Sequence, residues 1–154
     1  MELDELFYQL GVMANTGDGT GFASFFTTDA VFHDGFYGIN KGRDAIRDMI
    51  EGGFHRDAED IQFVLFDGIR QGDLAYAQFY FSYTAKIEGS EGRRVVFDAM
   101  CKMQFEGDKI CDFYEIIDSG AIMTQLGFTS DRILGQLEKR SRRLRDRPEL
   151  MKYL

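Results

Sequence analysis

From Ile61 to Phe105 the apolar residues keep to every second position: Ile61, Phe63 and Leu65, then Ala75, Ala77, Phe79, Phe81, Tyr83 and Ala85, then Phe97, Ala99, Cys101, Met103 and Phe105. A period of two is the side-chain spacing on one face of an extended strand, and a helix cannot sustain it over such lengths. The pattern predicts long antiparallel strands with hairpins at residues 68–73, 88–92 and 106–108, and a last strand at 109–118. A sheet of four or five strands is expected. Register at the last hairpin decides which residues share a face, because a slip of one residue turns every side chain over. A two-residue turn at Gly107-Asp108 would set Ala99 and Cys101 against Ile116 and Tyr114. A three-residue turn would align Ala99 with Glu115, Cys101 with Phe113 and Met103 with Cys111, giving one nearly continuous apolar face, and is the arrangement expected. Glu115 is then the lone acid on a surface of Phe79, Phe81, Tyr83, Ala99, Cys101 and Phe113, where an unpaired charge would be costly. The opposite face, with Tyr76, Tyr80, Val96, Met100 and Ile116, is too aromatic and apolar for a purely solvated surface and predicts a subunit contact.

Upstream the period is helical. Leu3, Leu6, Phe7, Leu10 and Met13 define a first helix that Asn15-Thr16-Gly17-Asp18-Gly19 ends, and a short second helix is expected at residues 21–27. A strand at 30–36 follows, then a helix at 43–51 that Gly52-Gly53 ends. Helices followed by a curved antiparallel sheet give an α+β fold, with the helices closing one side of the sheet into a cone.

The stretch DAVFHDGFYGINKGRDAI, from Asp29 to Ile46, carries an apolar strand through glycine-rich turns into a helix start and aims Asp34 beyond the strand end. Inside an apolar cavity such a carboxylate becomes a tuned proton-transfer group; at an ordinary turn it accepts backbone N–H bonds. His33 alternates to the other face and reads as structural or interfacial. His55, after the third helix, could line the pocket mouth as a titrating group or sit at the helix C-terminus.

A chain of 154 residues, 44% apolar and with fifteen Phe and seven Tyr, suffices for one good core. The start lacks the pattern of a signal peptide and no stretch has the roughly 20 apolar residues of a membrane span, so a cytoplasmic protein without membrane contact is expected. Cys101 and Cys111 then read as reduced thiols, and with only His33 and His55 beside them no metal site is expected. Residues 129–154 hold eight Lys/Arg and four Asp/Glu, against ten and twenty-two in the remainder, so a body of −12 carries a tail of +4. The acidic body argues against nucleic acid. The basic run RSRRLRDR reads as a solvated helix face lying against an acidic neighbour.

Four segments together resemble the nuclear transport factor 2 superfamily, in its SnoaL-like and ketosteroid-isomerase-like branch. They are the first helix with Asn15-Thr16-Gly17-Asp18, the run Phe25-Phe26-Thr27-Thr28-Asp29-Ala30-Val31-Phe32, Lys41-Gly42-Arg43-Asp44-Ala45-Ile46, and Gly107-Asp108-Lys109-Ile110 leading into Tyr114-Glu115. The resemblance covers residues 2–128; residues 129–154 read as a basic C-terminal helical extension. It implies a cystatin-like α+β barrel whose members include isomerases, cyclases, dehydratases, epoxide hydrolases and non-catalytic modules. Asp34 stands where the steroid isomerases carry their general base, whereas their oxyanion-hole Tyr falls near Leu10 and their proton-donating Asp near Cys101. The Arg and Asp of limonene-epoxide-hydrolase-like enzymes fall at Phe79 and Phe81, and only Glu115 keeps an acid where those enzymes have one. Glu115 also resembles the acid/base position of the polyketide cyclases.

The expected function is therefore a SnoaL-like enzyme that binds a hydrophobic polycyclic or terpenoid-like molecule and performs cofactor-independent proton transfer: isomerisation, cyclisation or dehydration. Asp34, Glu115 and His55 are the candidate catalytic residues; Phe32, Phe36, Phe79, Phe81, Tyr83, Cys101 and Phe113 are the candidate ligand contacts. A homodimer through the outer sheet face is expected. The alternatives are a non-catalytic ligand-binding or dimerisation module, or an accessory subunit of a larger enzyme.

Overall fold

The computed structural model of the chain describes residues 2–154. It has a mixed α+β fold around one curved sheet of six strands in the order β2-β1-β6-β5-β4-β3. The strands are β1 (Phe26–Asp34), β2 (Gly38–Lys41), β3 (Ala58–Gln71), β4 (Leu74–Ala85), β5 (Arg94–Glu106) and β6 (Lys109–Ile117). All neighbours are antiparallel except β1 and β6, which run parallel. The sheet does not close on itself; β2 and β3 are its edges. The sixth strand is β2, a four-residue piece inside the glycine-rich turn segment, too short to show a period of its own.

Helices α1 (Leu3–Thr16), α2 (Gly19–Ala23) and α3 (Arg43–Asp48) cover the inner face, burying Leu6, Phe7, Leu10, Phe22 and Ile46 against Phe26, Phe32, Phe63, Phe79 and Phe113. The second helix is shorter than expected and β1 begins at Phe26 rather than Ala30, because Ser24 and Phe25 already close the turn. Gly52-Gly53 does not end the third helix. A π-helical turn, Met49–Phe54, carries the chain through both glycines into a last turn, α4 (His55–Asp57), and burial of Met49 and Ile50 offsets the poor propensity of glycine.

The last hairpin has neither of the two registers weighed from sequence. Glu106 pairs with Lys109 across a two-residue turn, and a bulge at Cys111 then shifts the pairing by one, so that Cys101 faces Glu115 and Ala99 faces Ile117. Turn and bulge together have the same parity as the longer turn would have had. Glu115 therefore does lie on the inner, apolar face.

Two bulges bend β3, each with an aspartate in the left-handed region, Asp60 at φ 50° and Asp67 at φ 49°. The bent edge receives α1 at close range. Asn15 Oδ1 accepts the Phe63 N–H at 2.6 Å, satisfying a donor that the edge strand leaves unpaired, and Gly68 lies so close that an added Cβ would stand 2.3 Å from the Phe7 ring. After β6 come α5 (Ser119–Gln125), capped by Asp118, and α6 (Ser130–Arg145), capped by Thr129. A 3-10 helix, Pro148–Tyr153, follows, because Pro148 cannot continue α6. No residue of α6 is buried. Among the described residues no helix is long and apolar enough to cross a membrane.

Gly68→Ala is expected to force Phe7 out of its packing and to lower stability by about 1–3 kcal/mol, read as a lower urea midpoint at unchanged slope.

Candidate functional site

Parallel pairing sets His33 beside Tyr114, so the next residue of each strand, Asp34 and Glu115, is an inward-facing acid at the same end of the sheet. Asp34 is buried and uses one oxygen, Oδ1, to accept the backbone N–H groups of Phe36 at 2.7 Å and Tyr37 at 2.5 Å. The turn-capping role and the cavity-facing role considered from sequence thus coexist, with one oxygen for each. Glu115 Oε2 accepts the Gly35 N–H at 3.2 Å. Gly35 has to be glycine, since a Cβ would stand 2.5 Å from Ile117.

An inner cavity of about 50 Å3 opens beside this pair. Phe79, Phe81, Phe97, Phe54, Ile117 and Ile122 form its apolar wall, and Asp34, Glu115, Asp57, Tyr37 and Tyr83 supply its polar groups. It meets a larger cleft of about 820 Å3, and Asp34, Glu115, Phe36, Asp57 and Ile87 line both. The acids stand where the two spaces join.

Burial raises the Asp34 carboxyl from the ordinary 3.8 to about 6, against the opposing pull of its two backbone N–H bonds. Glu115 is driven well above the carboxylate range, first by burial and then by the charge of Asp34, with only the Gly35 N–H to oppose them. Both carboxyls are thus driven towards their protonated forms. Asp57 goes the other way: Arg56 at 2.6 Å and the Tyr37 hydroxyl at 3.0 Å hold it below the usual range. The Tyr37 hydroxyl is raised above its ordinary value by burial and then by Asp57, and that of Tyr83 by burial to about 12, so both stay protonated. Burial and then Glu115 push the Cys101 thiol to about 12.

Of the residues expected at the site, the structure brings Asp34, Glu115, Phe36, Phe79, Phe81 and Tyr83 to the inner cavity. Three expected contacts lie behind its wall: Phe32 and Phe113 stack on each other at 4.5 Å in the core, and Cys101 is buried opposite Glu115. His55 lines neither space. Its Nε2 lies 2.8 Å from the Ala14 carbonyl and its ring packs on Gly17, so it closes the C-terminus of α1 rather than meeting the acids. Tyr37, Asp57, Phe54, Ile87, Ile117 and Ile122 were not expected there, although Tyr37 follows Asp34 by three residues in the same turn. His33 points to the other side of the strand, where its Nε2 meets Asp112 at 3.0 Å.

The mixed α+β fold around a curved, open sheet is the ketosteroid-isomerase-like fold. The model of the SnoaL-like domain matches residues 7–113, and the chain belongs to that family. Among solved structures the chain is similar to a hypothetical protein with a ketosteroid isomerase-like fold from Catenulispora acidiphila, in complex with trimethylamine. That similarity has a TM-score of 0.72 at 14% identity, covering 82% of this chain and 95% of the other. It is also similar to a protein classed as a SnoaL-like polyketide cyclase from Shewanella putrefaciens, with TM-score 0.68, 18% identity and coverage of 84% and 99%. An LEH-like epoxide hydrolase of M. tuberculosis superposes with TM-score 0.64 at 9% identity, over 80% and 87% of the two chains. No curated protein matches.

A carboxyl that is more basic in the folded chain binds its proton preferentially there, so its contribution to stability is full below the unfolded value of 3.8 and is lost as pH rises through about 6. Asp34→Asn is expected to remove that loss. Urea titrations at pH 4 and pH 8 should show the variant more stable than wild type only at the higher pH, by on the order of 3 kcal/mol.

Proposed function

We propose that the protein is a cofactor-independent enzyme that binds a hydrophobic small molecule and moves a proton on it, in an isomerisation, cyclisation or dehydration. The observation that carries the reading is the pair Asp34 and Glu115, two acids in one apolar cavity whose surroundings push their proton affinities apart. Asp34, ionised above about pH 6, is the general base, and its free oxygen is the one that accepts the substrate proton. Glu115, whose proton affinity burial raises well above the carboxylate range, is the acid: it donates a hydrogen bond, or the proton itself, to the substrate oxygen on which charge develops. The Tyr37 hydroxyl, held on Asp57, is a second donor at the same cavity. Phe79, Phe81 and Phe97 exclude water from the reacting carbon.

Carbon acids report this chemistry without knowledge of the natural substrate. A panel of cyclic ketones in deuterium oxide, followed by proton NMR, should exchange α-protons with a rate that rises through pH 6. Asp34→Asn should slow the exchange by about 10²–10⁴-fold and Glu115→Gln by a similar factor. Undiminished exchange in Asp34→Asn would rule out the base.

The alternative, a binding or dimerisation module, draws on the outer sheet face, where Tyr76, Tyr80, Val96, Met100 and Ile116 are all about half exposed or more. Catalysis and a homodimer through this face are compatible, and both belong to the proposal. Light scattering is expected to give twice the chain mass, and Met100→Lys with Tyr80→Glu to return it to the mass of one chain with the fold intact by circular dichroism.

A further inference from the structure

The cleft outside the inner cavity has Asp34 and Glu115 on one side and α6 on the other. Arg132, Lys139, Arg140, Arg143 and Arg147 all line it. The first four, seven, one and three residues apart, lie on one side of α6, and Arg147 follows just past its end; Asp131 and Glu138 of the helix do not line the cleft, whereas Glu149 beyond it does. The helix thus turns four of its six cations, and neither of its two acids, towards the cleft. Burial does not explain this orientation, since α6 has no buried residue.

Most of these cations lack a carboxylate. Among the described residues Arg147 alone of the five has an acidic partner, Glu149, and it also donates to the Tyr114 hydroxyl at 3.3 Å. Arg132 lies over the Phe128 ring at 3.5 Å and Arg140 donates to Ser119 Oγ at 3.4 Å. Lys139 and Arg143 make no hydrogen bond or ion pair among the described residues. Guanidinium groups that stay unpaired across a cleft of 820 Å3 present forks of N–H donors matched to a planar oxyanion. Walls of low dielectric concentrate their field on the space between.

We infer that the basic face of α6 is an oxyanion subsite, and that the substrate is an amphipathic organic acid: an apolar ring system carrying a carboxylate or equivalent oxyanion. The inference rests on the reading of Asp34 and Glu115 as the proton-transfer pair. The inner cavity, at about 50 Å3, holds a few waters' volume and accommodates only the reacting edge of a ring against Phe79 and Phe81. The remainder of the molecule extends into the cleft, where Arg132, Lys139, Arg140 and Arg143 face it from α6 and Glu149 is already paired with Arg147. A body of net charge −12 would otherwise repel such an anion, and the +4 segment lies over the entrance to the cavity.

The test compares 2-naphthoate with the uncharged 2-naphthalenemethanol by fluorescence titration of the full chain. Naphthoate is expected to bind about tenfold more tightly at low ionic strength, with the advantage fading as salt is raised. The double variant Lys139→Gln/Arg143→Gln, altered only at exposed positions, should weaken naphthoate about tenfold, leave the alcohol unchanged and keep the wild-type urea midpoint. Equal affinities for the two probes, indifferent to the variant, overturn the subsite and leave the cavity standing. Binding of neither probe removes the small-molecule reading and the subsite with it. A change in mass by light scattering without a change in naphthoate affinity assigns the basic face to a subunit contact and also overturns the subsite.

Discussion

The parallel pairing of β1 with β6 is the contact from which the rest of the site follows. A parallel neighbour brings like ends of two strands together, and the register of His33 with Tyr114 makes the residues on either side of them run in step. One residue back, Phe32 and Phe113 stack face to face at 4.5 Å, with planes 10° apart, and join Phe22 and Phe26 in the core. One residue on, the same inward direction delivers Asp34 and Glu115. The aromatic stack and the acid pair are successive rungs of one ladder, so the packing that fixes the first also fixes the second. Gly35 completes the join, because only a residue without a side chain can pass Ile117 and still donate its N–H to Glu115.

Three carboxyl groups share the cavity and are set apart chiefly by their surroundings. Asp57 keeps an arginine and a tyrosine hydroxyl beside it and remains ionised. Asp34 loses its water but receives two backbone donors, which leave it titrating at about pH 6. Glu115 is driven well above the carboxylate range by burial and then by its charged neighbour, with one backbone donor to oppose them. The gradient runs from the solvated rim to the apolar wall, and it is the separation on which the proposed division into base and acid rests. His55 illustrates the converse: it is the side chain best suited by nature to titrate near neutrality, and the fold spends it on the end of α1.

How far the sequence revealed this arrangement depended on whether a local pattern carried the information. Long strands with strict alternation were readable, and β4 alternates inside and outside over all twelve of its residues. Asp34 and Glu115 were readable as acids on apolar faces. The bulge at Cys111 was not, since an unpaired residue leaves no mark in composition; the face of Glu115 came out correctly because a two-residue turn plus one bulged residue has the parity of the longer turn. Phe32, Phe113 and Cys101 show the limit of inferring depth from a face: they point inward like Phe79 and Phe81, yet helices α1 to α3 cover them while the others stay open to the cavity. Asp57 and Tyr37 come from segments with no periodic pattern, and only the tertiary fold brings them together.

The charge asymmetry of the chain takes on physical meaning once α6 is in place. A helix with strong helical periodicity and no buried residue derives little stability from packing, so its position depends on the cap at Thr129, its short contact with α5 and the tether of Arg147 to Tyr114. Like charges aligned along one side of such a helix repel one another at i, i+3 and i, i+4, a cost the isolated helix would avoid by mixing signs. That cost falls when an anion lies between the helix and the domain, because the same cations then share a common partner. An occupied cleft would therefore hold α6 more firmly than an empty one, and the segment that binds the charged end of a ligand would also close over it. Such closure would remove water from the neighbourhood of Asp34 and so tie the proposed oxyanion subsite to the proposed proton transfer through solvent rather than through direct contact.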